Sequence, residues 1–296
     1  MDVVRSFLFE DLDIRGALVT LGNTWHELQA DRDLPPVVNG LLGELAAVTA
    51  LIAGNLKTPG RITFQLQGNG LVSLLYVDCD EQLRLRGMAR LRADSGAVPP
   101  APTFRSEVAP GGTFSFPPAP TFNELLGDGQ LVLTLDPHTG APYQSIVPLS
   151  GDHLGAVFAH YLAQSEQQPA WLLLGADENF AAGLFLQKLP NADRRDPDGW
   201  NRLLHLASTL SASELAAPVA NLLMRVFPEE NIRLFDPRPV SYHCPRDEEK
   251  VLAMLKSLGR AEIEATLAAA GSIAVEDEIC RQSYRYGPEI LSRLFG

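Results

Sequence analysis

Apolar positions along the chain change period several times, and each change marks an element. Pro35 and Pro36 open an apolar segment over residues 37–57, in which Leu41, Leu42, Leu45, Val48, Leu51 and Ile52 surround much of the circumference. Proline suits a helix's first turn, where its missing N–H leaves no bond unmade, so the segment reads as a helix. A helix apolar on most sides belongs between layers rather than on a surface. Residues 61–67 (RITFQLQ) then alternate strictly, with Ile62, Phe64 and Leu66 on one face. Gly68-Asn69-Gly70 is hairpin chemistry, residues 71–78 form the returning strand, and residues 83–91 extend the meander. A second hairpin runs over 131–136 and 143–149. Residues 152–167 predict an amphipathic helix with Leu154, Val157, Phe158, Tyr161 and Leu162 inward, and residues 171–174 and 181–189 are further strands. Helices mixed with hairpins point to an α+β fold, not a doubly wound parallel sheet.

Two stretches break this pattern. Residues 93–127 are rich in proline and glycine, show no core pattern, and contain PPAPTF twice, at 99–104 and 117–122. A proline-rich ligand for a partner domain is one reading. A tolerated local duplication is favoured, because long surface insertions add little closure entropy. After Pro190 the polar hinge NADRRDPDG leads to helices over about 200–209 and 212–227, the second interrupted by Pro218, where a kink or a late helix start is expected. Pro237 and Pro239 mark a last boundary. The organisation predicted is a domain over 1–190 carrying the 93–127 insertion, a helical linker over 191–239, and a small α+β module over 240–296.

Composition narrows the partners. With 296 residues, 46% of them hydrophobic, the chain can bury a large core and support a small module besides. A net charge of −12 argues against nucleic acid or an anionic membrane, either of which needs a basic patch. No apolar run long enough to span a bilayer is evident, and the acidic N-terminus is unlike a signal peptide. Three cysteines are too few and too scattered for a secreted disulfide framework, so a reducing cytoplasm is the default.

The chemistry-bearing residues lie near the C-terminus. YHCPRD at 242–247 and EDEICRQSY at 276–284 each hold one cysteine, Cys244 and Cys280, where a four-thiolate zinc knuckle would hold two. Such a knuckle reads C-x-C and then C-x-x-C some thirty residues on. Here Arg246 and Asp277 occupy the other two positions. Cys79, between Asp78 and Asp80, reads as structural, since acidic neighbours discourage thiolate chemistry. The remaining histidines show no paired ligand spacing, the Gly-x-Gly turns lack the Lys-Ser/Thr of a phosphate loop, and no G-x-S-x-G elbow is present, so an enzyme is not expected.

Four blocks in register carry a resemblance over nearly the whole chain outside the insertion. They are LLGELAAVTALIAGNLKTPGRITFQLQGNG at 41–70, YLAQSEQQPA at 161–170, AAGLFLQKLP at 181–190 and LKSLGRAEIEATLAAAGSIAV at 255–275. Together they resemble the heat shock protein 33 family, the redox-regulated 33 kDa chaperonins of bacteria. The resemblance implies layered β-sheets enclosing a helix, a metastable helical linker and a C-terminal zinc module. It implies an ATP-independent holdase that takes unfolded client proteins as partners. In the family pattern, oxidation forms disulfides within the C-x-C and C-x-x-C pairs, releases zinc, unfolds module and linker, and promotes dimerisation. Unfolding of the linker here would expose Leu203, Leu206, Leu222, Leu223 and Val226 to clients.

Neither of those disulfides can form here, because each pair has lost one cysteine. Three arrangements stay open. Zinc could still be held by Cys244, Cys280, Asp277 and His243, though two thiolates leave two vacancies and Arg246 brings a cation to the metal. Alternatively the four positions converge without metal, with Arg246 and Asp277 as an ion pair. This is favoured, since the replacements have opposite charge, and it would bring Cys244 and Cys280 within reach of one long-range disulfide. Lastly, both cysteines could be ordinary thiols. No cofactor is expected on the favoured reading. The function expected is a holdase with its zinc and thiol regulation altered or lost, and the alternative is a constitutive adaptor on the same fold.

Overall fold

The structure is a computed structural model that describes residues 2–56, 58–92 and 120–296. Two compact units divide the chain, Met1–Tyr242 and His243–Gly296.

The first unit opens with strands β1 (Val3–Phe9) and β2 (Ile14–Leu21), then helices α1 (Asn23–Gln29) and α2 (Pro36–Gly54). A meander follows, β3 (Gly60–Gln67), β4 (Val72–Cys79) and β5 (Arg84–Leu91). The short helix α3 (Phe122–Leu126) precedes the hairpin β6 (Gln130–Pro137) and β7 (Tyr143–Pro148), then α4 (Leu154–Glu166), β8 (Ala170–Ala176) and β9 (Ala181–Lys188). Helices α5 (Ala192–Arg195), α6 (Gly199–Ala207) and α7 (Val219–Val226) lead to three short strands, β10 (Ile232–Leu234), β11 (Arg238–Pro239) and β12 (Ser241–Tyr242). One sheet has the order β10-β1-β2-β9-β8, with β11 also on β1, and the other has β12-β5-β4-β3-β6-β7. The α+β architecture is the one expected.

Helix α2 is the axis of the fold. Pro36 opens it as anticipated, and its leucines, alanines and valines pack into one core with both sheets. Gly43 permits the close approach, since a Cβ there would sit 2.5 Å from that of Ala176 on β8. The helix is in fact long and apolar enough to cross a membrane, contrary to the expectation of no such run. Two thirds of its most apolar stretch is buried inside the protein, which accounts for its composition without a bilayer.

A second core lies on the opposite face of the first sheet. Period-two alternation sorts β9 between the two, with Ala181 and Phe185 facing α2 and Ala182, Leu184 and Leu186 facing away. In β1, Val4 joins the first core, and Phe7 and Phe9 the second. Leu203, Ala207, Leu215, Leu222, Leu223 and Val226 cover this outer face. The interruption at Pro218 is a late helix start. A 3-10 turn spans Ala212–Ala216, and Pro218 then stands as the N-cap of α7.

Residues 93–119, including the first PPAPTF and the first half of the second, lie outside the described residues. The end of the predicted coreless insertion does contain core residues: Leu125 and Leu126 are buried. Thr121 and Glu124 explain the local fold, since they form a reciprocal capping box that starts α3 and turns its leucines inward.

The second unit is a helical pair and a hairpin. Its elements are α8 (Glu248–Leu258), α9 (Arg260–Ala270), β13 (Ile273–Asp277), β14 (Gln282–Tyr286) and α10 (Ile290–Phe295). Asp247 caps α8 by accepting the Lys250 N–H, and Gly271, at φ +71°, closes α9 in the left-handed region that favours glycine. Its core is small: Leu255, Ile263, Leu267, Ile273, Tyr284, Tyr286, Ile290 and Leu294.

Candidate redox site in the terminal unit

Alternation along β14 decides which side chains reach the cysteines. Tyr284 and Tyr286 point into the core, and β13 pairs antiparallel with β14 so that Asp277 faces Gln282 across the hairpin mouth. The loop between them, residues 278–281, carries Cys280. Ahead of α8, the stretch from His243 to Asp247 lies beside this hairpin.

Cys244 and Cys280 are joined by a disulfide, with Cα atoms 5.4 Å apart and a sequence separation of 36. The two broken stretches therefore converge. Both cysteines are half-buried. A bond closing a span of this length stabilises a fold by about 4 kcal/mol, chiefly by restricting the unfolded chain. A unit this small rarely draws more than about 5 kcal/mol from its core, so the crosslink is comparable with everything else that holds it.

Arg246 and Asp277 do not form the expected ion pair. The Arg246 guanidinium lies 4.4 Å from the centroid of the Tyr284 ring, and its Nη2 donates to the Ser283 carbonyl at 3.0 Å. Asp277 turns to its own loop, where Oδ1 accepts the N–H groups of Ile279 at 3.0 Å and Cys280 at 3.1 Å. A carboxylate satisfied by backbone donors, and an arginine satisfied by a ring and a carbonyl, gain little from meeting across a wet surface. Each replacement thus holds one of the two stretches that the disulfide joins.

Residues not singled out from sequence complete the site. Gln282 Nε2 donates to the Cys244 carbonyl at 2.8 Å. The Tyr284 hydroxyl accepts the Asp247 N–H at 3.0 Å and donates to Gln282 Oε1 at 2.9 Å. The alternation in SYRY is a signal that would turn Tyr284 inward, but nothing in it shows that the ring and hydroxyl serve residues 246 and 247.

This donor set does not fit zinc. The sulfurs of Cys244 and Cys280 are spent on each other, Asp277 Oδ1 is engaged with two amides, and His243 is exposed next to Cys244. Among the described residues, no three histidine, cysteine, aspartate or glutamate side chains are grouped to hold a metal ion. The third cysteine, Cys79, is free and buried, and burial, followed by the charges of Asp80 and Asp78, pushes its thiol far up.

Elsewhere, a polar hollow of about 390 Å³ is lined by Arg61, Asp80, Glu81, Arg84, Asp136 and His138. Its charges serve one another, with Arg84 on Asp80 at 2.7 Å and His138 on Glu81 at 2.9 Å. His153, one of the histidines weighed from sequence, caps α4 by accepting the Ala156 N–H on Nδ1. The residues expected to meet clients lie together, as a face of α6 and α7: Leu203, Leu222, Leu223 and Val226 are buried, and Leu206 is packed against them.

The chain is similar to known proteins over nearly its whole length. The 33 kDa chaperonin of Pseudomonas aeruginosa is 36% identical over 99% of this chain and 94% of its own length. That of Shewanella baltica is 37% identical over 99% and 96%. A crystal structure of the 33 kDa chaperonin (heat shock protein 33 homolog) from Thermotoga maritima has a TM-score of 0.77 at 22% identity, covering 99% of this chain and 98% of that one. The family model described as Hsp33 protein matches residues 2–287, and the chain belongs to the Hsp33 family.

Proposed function

We propose that this protein is an ATP-independent holdase of the cytoplasm. It binds apolar segments of unfolding or oxidatively damaged proteins and keeps them from aggregating, and its thiol regulation differs from the zinc switch of the family pattern. Membership over residues 2–287 supports the chaperone part.

The observation that carries the holding part is the double-sided burial at the linker. Leu203, Leu222, Leu223 and Val226 lie against Phe7, Phe9, Ile14, Leu18, Leu184 and Leu186 on the outer face of the first sheet. Detaching residues 199–226 would bare both apolar surfaces at once, and contiguous apolar surface is what an unfolding chain seeks. A hollow of about 380 Å³ beside α7, lined by Leu223, Met224, Phe227, Pro228, Ile232 and Leu234, offers a first foothold. Met224 is 65% exposed there, and an unbranched thioether adapts to varied apolar partners. On this reading the terminal unit closes without zinc.

Light scattering of a thermally unfolding client such as citrate synthase tests the reading. Suppression of aggregation without nucleotide is the expected result. Failure under reducing, oxidising and heated conditions alike would overturn it and favour a constitutive adaptor on the same fold.

A further inference from the structure

We propose that the Cys244–Cys280 disulfide is the clasp of the terminal unit, so that oxidation closes this unit and reduction loosens it, the reverse of the polarity implied by the family pattern. The stretch 243–247 contributes no buried side chain, and the next core residue is Leu255. It is held to the hairpin by the disulfide, by the Gln282 bond to the Cys244 carbonyl, by Arg246 on Tyr284 and Ser283, and by the Asp247 bond to Tyr284. Arg246 and Asp247 are exposed, so their polar contacts compete with water and hold weakly once the covalent bond is gone.

Pairing topology sets the sign. Disulfides between neighbours, as in C-x-C or C-x-x-C, leave two stretches unlinked from each other. Here each stretch has a single cysteine, and their bond runs between the stretches. The replacements favour it: Asp277 fixes the turn that presents Cys280, and Arg246 fixes the segment that presents Cys244. Both cysteines are only half-buried, which leaves the bond open to attack by a dithiol. Reduction breaks the S–S bond, and each sulfur leaves with one proton. The dithiol supplies the two electrons and two protons and closes to its own disulfide.

The effect on client holding rests on the holdase reading, whereas closure of the unit does not. The test uses the full chain. Under denaturant the oxidised protein should show one free thiol, Cys79, and the dithiothreitol-treated protein three. Tryptic cleavage at Arg281 and Arg285 should accelerate on the order of a hundredfold after reduction, because cleavage follows the open population. Reoxidation of the same sample with oxidised glutathione should restore protection. Cys244→Ser should cleave at the reduced rate with or without dithiothreitol. Equal cleavage in both redox states, or faster cleavage when oxidised, would overturn the proposal. Aggregation suppression should be greater in the reduced form. If the unit opens on reduction yet clients are never held, the clasp stands and the holdase reading falls.

Discussion

Arg246 stacks 4.4 Å over the ring of Tyr284, a residue 37 positions on from Asp247, whose N–H the same tyrosine's hydroxyl receives. One aromatic side chain thereby anchors two consecutive residues of the stretch that carries Cys244. An exposed cation over a ring face contributes about 0.5–1 kcal/mol. Arg246→Ala should therefore destabilise the terminal unit by about 1 kcal/mol once its bond to Ser283 is counted. Hydrogen exchange at residues 282–286 of the oxidised protein would read this as a several-fold loss of protection. Arg246→Lys should recover less than half, because an ammonium lacks the planar face that stacks.

What the sequence reveals and what it conceals divide along a physical line. Helix α2 was legible because leucines around much of its circumference, in a chain otherwise rich in hairpins, point to burial between layers. β3 was legible because Ile62, Phe64 and Leu66 alternate. The nearness of Cys244 to Cys280 followed once the four knuckle positions were assumed to converge. The partners of Arg246 and Asp277 were not legible. Opposite charge suggested a pair, yet the choice was made by hairpin register, which sets Tyr284 beneath Arg246, and by the loop amides that claim Asp277. Leu125 and Leu126 were missed because a short capped helix at the end of a proline-rich stretch shows no period.

Linker detachment should respond to packing before chemistry. Leu222 is 1% exposed in the second core, and truncating a buried leucine costs about 2–5 kcal/mol. Leu222→Ala should raise apolar-dye binding and increase suppression of client aggregation, since it weakens the cover and leaves the sheet face intact. Met224→Ala gives the contrast. Its side chain is exposed, so stability should shift by no more than about 0.5 kcal/mol while client retention falls. Equal client retention in wild type and Met224→Ala would remove the hollow beside α7 from the binding surface.

Stability should carry an unusual pH slope from Glu44. This residue lies on the core helix, and removal from water pushes its carboxyl up to about 7 from an ordinary 4.5. Between those values the folded protein keeps a proton that the unfolded chain has released. Glu44's contribution is thus fully present below about pH 4.5 and is lost as pH rises through about 7, a fall of about 3 kcal/mol. Glu44→Gln should abolish that slope. Melting temperatures of wild type and variant should be similar near pH 5 and separate by pH 8, with the variant the more stable. Parallel curves would mean that the carboxylate is solvated.

Restoring the missing cysteines is the sharpest test of how far the site has moved from a metal centre. The Cα atoms of Cys244 and Cys280 already lie 5.4 Å apart, and positions 246 and 277 flank them on the two stretches. Four thiolates placed there would supply a closed tetrahedral site with Zn–S bonds of about 2.3 Å. Arg246→Cys with Asp277→Cys should therefore take up close to one zinc per chain when purified under reductant with zinc supplied, while reduced wild type takes up little. Binding should also invert the redox response. The double variant would be protected from trypsin when reduced and zinc-loaded, because metal now bridges the stretches. Oxidation within the restored pairs would release zinc and unlink them. Near-stoichiometric zinc in reduced wild type would instead show that Cys244, Cys280 and their neighbours suffice as ligands. The disulfide would then be one of two clasps on the same stretch of chain.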